Sequence, residues 1–361
     1  ERSLKETAGN YYKAFNFKAF RSSTAIATEQ LGKQEAKINK GDEAYPYFTC
    51  ELGGGMMTSY HRRPYIYPED AYSLAIIKLG SGSNLLGYYM YHGGTNPTAM
   101  MSGNLDDGSA VYLNENQRTQ ATNYNDMPVK TYDFQAPLGE FGQKNPHYFM
   151  LRKLHLFMHD YAEVLAPMES SFPCRQDIEK GDDSHLRWSL RSKDKSGFVF
   201  INNYERLQQL SAKKNVQFEV CGVKFPQRPM TVPAGAMCIF PVNIDGIRYA
   251  TAQLIAKRDG KIYLEQIKGI PTEIAVDGKV LKNVKAKGIA KPVYKNIYLV
   301  DSKTAEHLFL QEEGISVEQK NGSVKSQTSK SKKMVPMMSL APSFKKIKEA
   351  ESVRKITMGV Q

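Results

Sequence analysis

Glu51 closes the short apolar run Pro46-Tyr47-Phe48-Thr49-Cys50 and is followed by Leu52 and the three glycines Gly53, Gly54 and Gly55. An ionised carboxylate at the end of a strand can act as a nucleophile or a base, and glycines beside it let backbone approach a ligand closely. A second polar cluster, Tyr60-His61-Arg62-Arg63-Pro64, comes next. Its cations suit an anionic substituent or a carboxylate, and equally a solvated, loop-stabilising role. The apolar run Leu85 to Tyr91 then ends in His92-Gly93-Gly94-Thr95-Asn96-Pro97. Tyr88, Tyr89 and Tyr91 are expected to alternate faces on a strand, one side lining an interior and the other packing under helices. Asp133 and Glu140 could in principle partner Glu51, with Glu140 better suited to supporting the loop before the next helix. His92, His155 and His159 lack ligand spacing with cysteines, and His155 and His159 have no Glu beside them in the zinc-protease pattern, so no metal and no cofactor is expected.

The elements that must position these residues follow from pattern. Tyr47 to Cys50 reads as a strand, and Pro68-Glu69-Asp70-Ala71 opens a helix with proline in its first turn and two acids at its positive end. Ala71, Leu74, Ala75 and Leu79 form its apolar face, and Gly80 ends it. Asn84 to Tyr91 is the next strand, which makes a βαβ unit with parallel neighbouring strands. Residues 98 to 131 lack periodicity and read as a long functional loop. A helix is expected from Pro146 to about Leu165, with Leu151, Leu154, Met158, Tyr161 and Leu165 as its stripe. Residues 1 to 44 read as a connecting segment with a helix around Ser23 to Leu31.

Beyond a boundary near Met168 the pattern changes to antiparallel β. His185 to Arg191, Gly197 to Tyr204 and Val216 to Val220 read as strands, and Arg258-Asp259-Gly260 and Val276-Asp277-Gly278 as hairpin turns. The expected fold class is α/β plus all-β. Residues 1–168 form the unit that carries the chemistry, 169–310 one or two β-sandwich domains, and 311–361 a polar basic tail or the start of a further β domain. That tail holds a strand-like Val335-Pro336-Met337 and a basic helix from Ser343 to Arg354. A chain of 361 residues with 41% hydrophobic content can bury two such units. Much of its net charge of +12 comes from Lys320 onward, so a solvated basic surface rather than a nucleic-acid partner is expected. Cys50, Cys174, Cys221 and Cys238 show neither metal-ligand nor disulfide spacing and set no redox compartment. No apolar run is long enough for a transmembrane helix.

Three segments carry a resemblance. Phe48-Thr49-Cys50-Glu51-Leu52-Gly53-Gly54-Gly55, then Gly87-Tyr88-Tyr89-Met90-Tyr91-His92-Gly93-Gly94-Thr95-Asn96-Pro97, then Tyr132-Asp133-Phe134-Gln135-Ala136-Pro137-Leu138-Gly139-Glu140-Phe141-Gly142 together resemble family 35 glycoside hydrolases, which are β-galactosidases. The middle run resembles that family's Met-(Phe/Tyr)-X-Gly-Gly-Thr-Asn signature at its eighth barrel strand, and the third its Tyr-Asp-Tyr-Asp-Ala-Pro-Leu segment. The variant here looks most like the branch found in gut and soil Bacteroidetes. The likeness runs from about Asn16 to Gln253 and fades beyond.

The resemblance implies the C-terminal portion of a TIM (β/α)8 barrel followed by β-sandwich domains. Glu51 then matches the catalytic nucleophile at the end of the seventh strand, in a retaining exo-β-galactosidase acting on galactose-containing oligosaccharides or polysaccharides. Tyr91, Asn96 and Phe134 become candidate substrate contacts, although many relatives carry Tyr where Phe134 stands. The family's acid/base lies in an Asn-Glu-Tyr-Gly motif far ahead of the nucleophile, and the 50 residues before Glu51 contain none. The resemblance therefore implies a fragment lacking roughly six βα units, inactive alone, with a periplasmic or secreted location for the intact enzyme. The alternative is a non-catalytic carbohydrate-binding or structural fragment.

Overall fold

The computed structural model describes residues 15–18, 46–58, 64–96, 131–173, 178–179, 181–311, 314–318, 323–326 and 334–336. The helix expected at 23–31, the cluster His61-Arg62-Arg63, nearly all of the 98–131 loop, Cys174 and the basic helix at 343–354 lie outside them. The described part is mostly β-sheet with few helices. None of its helices is long and apolar enough to cross a membrane.

Strand β1 (Phe48–Leu52) pairs in parallel with β2 (Leu85–Tyr88), and helix α1 (Pro68–Gly80) joins them, as the βαβ pattern predicts. Asp70 caps α1 by accepting from the backbone N–H of Tyr67 at 2.9 Å. The same buried carboxylate takes the Tyr204 hydroxyl at 2.7 Å and an Arg206 guanidinium, so one side chain starts the helix and fastens it to the β region. The single apolar face expected for α1 is not what forms. Its residues from Asp70 to Ile77 are all buried, because helix Pro146–Asp160, the parallel strand pair and the large sheet pack around it. Gly80 matters for packing: a Cβ there would sit 2.6 Å from Phe17 and 2.8 Å from Phe200.

Helix α2 (Pro146–Asp160) ends before Leu165, and a short helix α3 (Ala162–Leu165) follows. The break falls at Tyr161, whose φ of −113° is not helical. Its buried ring stacks on Phe157 at 5.5 Å and meets Phe198 edge-on at 6.2 Å, so side-chain docking wins over helical continuity.

Seven strands then build one antiparallel sheet. They are β5 (Glu169–Ser171), β6 (Arg187–Lys193), β7 (Ser196–Asn202), β10 (Met237–Ile244), β11 (Ile247–Ala250), β14 (Ile274–Val276) and β15 (Lys279–Leu281), in the order β15-β14-β11-β10-β7-β6-β5. Both faces of its central strands β7 and β10 are buried. On β7, Phe198 and Phe200 join the core shared with α1 and α2, while Val199 and Ile201 join Phe218, Phe225 and Val232 of the ribbon β8 (Lys213–Val220) and β9 (Val223–Val232). Two-sided burial explains why β7 reads as an unbroken apolar run. A smaller sheet of β12 (Gln253–Arg258), β13 (Lys261–Gln266) and β16 (Ile297–Asp301) packs on α2, with β13 and β16 parallel. After helix α4 (Ser302–Glu306) come β17 (Leu308–Gln311), β18 (Gly314–Glu318), β19 (Ser323–Ser326) and β20 (Met334–Pro336), an antiparallel sheet reaching into the segment expected to be a polar basic tail or the start of a further β domain.

Four hairpins turn on two-residue loops with both residues at positive φ: Cys221-Gly222 (54° and 71°), Asp245-Gly246 (50° and 79°), Asp259-Gly260 (50° and 71°) and Asp277-Gly278 (51° and 70°). This left-handed pair matches strand twist. The Asp259 and Asp277 turns are the two that the sequence marks.

Apolar packing and polar ties cross the Met168 position. Phe198, Phe200 and Ile239 share a core with Ile76, Leu151 and Leu154. Ser73 donates to Asn202 at 3.0 Å, Gln253 to the Tyr72 hydroxyl at 3.2 Å, and Lys153 to Glu265 at 2.9 Å. Burial opposes the charge on Lys153, yet the Glu265 carboxylate holds its pKa above the usual lysine value. Arg191, fully buried on β6, donates to carbonyls at the ends of both α1 and α3.

Candidate active site

Glu51 lies on a β-bulge. Thr49 pairs with Leu86 and Leu52 with Tyr88, so three steps on β1 oppose two on β2 and one extra residue is held at Cys50-Glu51. A bulge re-aims a side chain and is a common device beside active sites. Gly87 makes room for it: a Cβ there would lie 2.5 Å from the Cys50 carbonyl oxygen and 3.0 Å from that of Thr49. The Glu51 side chain is exposed, and no ion pair joins it among the described residues.

The three segments that carry the resemblance are brought together in space at the turn that follows Glu51. Tyr89 donates its backbone N–H to Leu52 at 2.9 Å, continuing the strand pairing past the bulge. A Cβ on Gly54 would overlap the Met90 carbonyl oxygen, and one on Gly55 the carbonyl oxygen of Phe134. Leu138 donates to Tyr91 at 2.9 Å and Gly93 to Leu138 at 2.7 Å, which stitches the second segment to the third. Gly93 and Gly55 allow the close approach that any side chain would block.

The third segment is itself braced. Asp133 accepts from Glu140 N–H at 2.7 Å and Gln135 N–H at 3.2 Å, closing the loop on its own carboxylate. Glu140 accepts from the hydroxyls of Thr95 and Thr131, each at 2.5 Å, across the short antiparallel pair of β3 (Gly94–Thr95) and β4 (Thr131–Tyr132). Both carboxylates therefore hold backbone and threonines in place. Gln135 reaches the other way, to Met56, Pro64 and Ile66, and His147 of α2 donates to its carbonyl at 2.9 Å. Burial lowers the His147 pKa despite hydrogen bonds to backbone at Gln135 and Gly54, so the ring works as a neutral tether. Gln135 and His147 were not singled out by the sequence reading. One sign existed: an Asp occupies the place of Gln135 in the segment that this stretch resembles.

Of the expected substrate contacts, Phe134 is nearest to the Glu51 turn. It is buried, has a φ of 56°, and packs on Tyr132 at 4.5 Å and edge-on to Tyr89 at 5.5 Å, while the Tyr89 and Tyr132 hydroxyls bond to each other. Asn96 is half-buried one residue beyond β3. Tyr91 is turned to α2, against Tyr148 at 6.5 Å and His155 at 5.7 Å, and burial raises its pKa to about 12. Strict alternation of the tyrosines is not observed: Tyr88 and Tyr91 share the α2 side, and Tyr89 the other. The strand stops at Tyr88 and the chain turns at Tyr89-Met90, which shifts the parity by one.

Tyr88 donates to His155 or accepts from it at 2.9 Å, and burial lowers the His155 pKa to about 4. The folded state holds this ring neutral while an unfolded chain would protonate near pH 6.5, so its contribution is complete above pH 6.5 and is lost as pH falls toward 4. The expected loss is about 2 kcal/mol by pH 5. Urea unfolding at pH 7.5 and pH 5 checks it: His155→Phe should flatten the acid side of the stability curve, and an equal slope in both proteins refutes the assignment.

No group of three or more His, Cys, Asp and Glu among the described residues could hold a metal ion. Residues 3–158 match the family model described as glycosyl hydrolases family 35. The match supports glycoside hydrolase chemistry of the β-galactosidase kind and implies a barrel-like region, within which the β1-α1-β2 unit and all three converging segments lie. No curated protein matches the chain.

Proposed function

We propose that this chain carries the nucleophile side of a retaining exo-β-galactosidase that releases terminal β-galactose from glycans, with Glu51 as the nucleophile. The observation that supports it most is the placement of Glu51: an exposed carboxylate on a bulge where a parallel strand ends, backed by the glycine turn and Phe134. Strand ends of this kind are where barrel enzymes collect their chemistry. In the first step a Glu51 oxygen attacks the anomeric carbon as the glycosidic C–O bond breaks, and the leaving oxygen takes a proton from a carboxylic acid about 5 Å away. In the second, that residue removes a proton from water, which attacks the same carbon and frees galactose and the Glu51 carboxylate.

Asp133 and Glu140 are already committed to loop hydrogen bonds, so the proposal takes the acid/base from outside the described residues. Asn96 offers an amide to the sugar and Tyr91 a weaker contact from its place against α2, while Phe134, buried against Tyr132 and Tyr89, supports the pocket wall. The glycan substrate favours a periplasmic or secreted location. That same commitment of Asp133 and Glu140 favours a second reading, in which this chain alone binds galactosides without cleaving them. Isothermal titration with galactose beside a hydrolysis assay of the isolated chain separates the two. Replacement of Glu51 in the full-length enzyme tests the first reading, and turnover that survives it overturns the proposal.

Gly87 supplies a further test. In Gly87→Ala the new methyl must displace the Cys50 carbonyl or flatten the bulge, moving Glu51 by a fraction of an ångström to about 1 Å. A shift of that size costs up to ~100-fold in turnover. The variant should lose kcat on an aryl β-galactoside while the KM changes little, and unchanged kcat would show that the bulge does not aim the nucleophile.

A further inference from the structure

Gln135 spends both atoms of its side-chain amide on holding backbone. Its amide nitrogen donates to the carbonyls of Met56 at 3.1 Å and Pro64 at 2.7 Å, and its amide oxygen accepts from Ile66 N–H at 3.2 Å. Its own N–H goes to Asp133 at 3.2 Å and its carbonyl takes His147 Nε2–H at 2.9 Å. The bonds to Met56, Pro64 and Ile66 fasten both ends of the stretch that follows the Glu51 turn. On its backbone side Gln135 presses on that turn directly, since a Cβ on Gly55 would lie 2.7 Å from its carbonyl oxygen. Phe134 and Gln135 both hold left-handed φ, 56° and 50°, a conformation that costs energy in residues with side chains and persists only when the surroundings enforce it. Here the enforcing contacts are the tether from His147 and the side-chain bonds of Gln135.

We propose that Gln135 is the positioning residue of the Glu51 site, fixing the backbone at residues 55–56 and 64–66 and the Phe134 ring relative to the nucleophile, with His147 locking Gln135 in turn. The proposal rests on the reading of Glu51 as a galactosidase nucleophile. It explains why an amide stands here. A carboxylate of the same shape would point lone pairs at the Met56 and Pro64 carbonyls, where only a donor fits. Gln135 therefore acts through Glu51 and Phe134, and need not touch the sugar.

The test compares Gln135→Glu, Gln135→Met and Glu51→Gln in the full-length enzyme, on an aryl β-galactoside and by hydrogen exchange. Gln135→Glu should lower kcat by about 10–100-fold near pH 7, with KM changed less than about threefold. Relative to the wild type it should recover part of that loss at pH 5, where a protonated acid can donate to one carbonyl again. Gln135→Met, which has no donor and no titratable group, should show the same loss at both pH values. Amide exchange in residues 53–58 and 64–66 should quicken in both variants. Wild-type kcat, or unchanged exchange in those residues, in Gln135→Met overturns the positioning role, and this variant decides the matter if Gln135→Glu does not fold. Active Gln135 variants beside an inactive Glu51→Gln refute the positioning role and leave the proposed function standing. Activity in all three refutes both.

Discussion

Glu51→Gln in the full-length enzyme is expected to lower kcat/KM on an aryl β-galactoside by at least about a thousandfold, ~4 kcal/mol of transition-state stabilisation. The amide matches the carboxylate in size and leaves the bulge in place, so thermal unfolding should stay where it is; Glu51 is exposed and has no ion pair to lose among the described residues. What disappears, on the proposed mechanism, is the anion that would form the bond to the anomeric carbon. Glu51→Gly extends the argument, because it opens space for a small external anion. Azide should then restore turnover by attacking from the face that Glu51 occupied, giving galactosyl azide of inverted, α, configuration. Wild-type turnover in Glu51→Gln refutes the nucleophile. Azide rescue with retained, β, configuration would mean that the carboxylate acts as a base instead.

The residues that make this prediction possible were legible to very different degrees. Glu51, the glycines behind it and the βαβ unit could be read directly, because an apolar run, a proline-opened helix and a glycine run each leave a local trace. The bulge could not, since it exists only in the register of β1 against β2, and Gly87 shows its purpose only once the Cys50 carbonyl is seen across from it. The tyrosines were misjudged for a related reason: alternation is a property of extended chain, and the chain ceases to be extended at Tyr89. Gln135 and His147 leave no periodic mark at all. Their roles come from contacts with residues 54 to 66, about 70 positions away along the chain for Gln135, where sequence pattern has nothing to say. The same limit hid the full burial of α1, which needs α2, the large sheet, and β1 and β2 packed around it.

Arg191 carries the second large effect. Its guanidinium donates to Leu79 O at 3.3 Å, Ser83 O at 3.1 Å, Asn84 Oδ1 at 2.6 Å, Leu165 O at 2.9 Å and Met168 O at 3.2 Å. These acceptors lie at or just beyond the C-terminal ends of α1 and α3, where carbonyls lack helical partners and the helix dipole favours a cation. Burial pulls the Arg191 pKa down to about 10, which still leaves it charged at neutral pH. Arg191→Met would remove the cation and leave Ser83 O, Met168 O and Asn84 Oδ1 without this donor, while Leu79 O and Leu165 O keep the N–H groups of Gly82 and Met168, a change expected to cost ~3–5 kcal/mol and to lower the unfolding temperature by about 10 °C. Arg191→Lys should fare little better, because a single ammonium with three donors cannot span acceptors that the planar fork reaches on two sides. The loss should extend to the chemistry. Asn84 leads directly into β2, the strand whose Gly87 seats the Glu51 bulge, so releasing Asn84 loosens the strand against which the proposed nucleophile is aimed. Thermal unfolding of the full chain together with kcat on an aryl galactoside reads both consequences, and a melting temperature within about 2 °C of the wild type would show that Ser83 O, Met168 O and Asn84 Oδ1 find other partners.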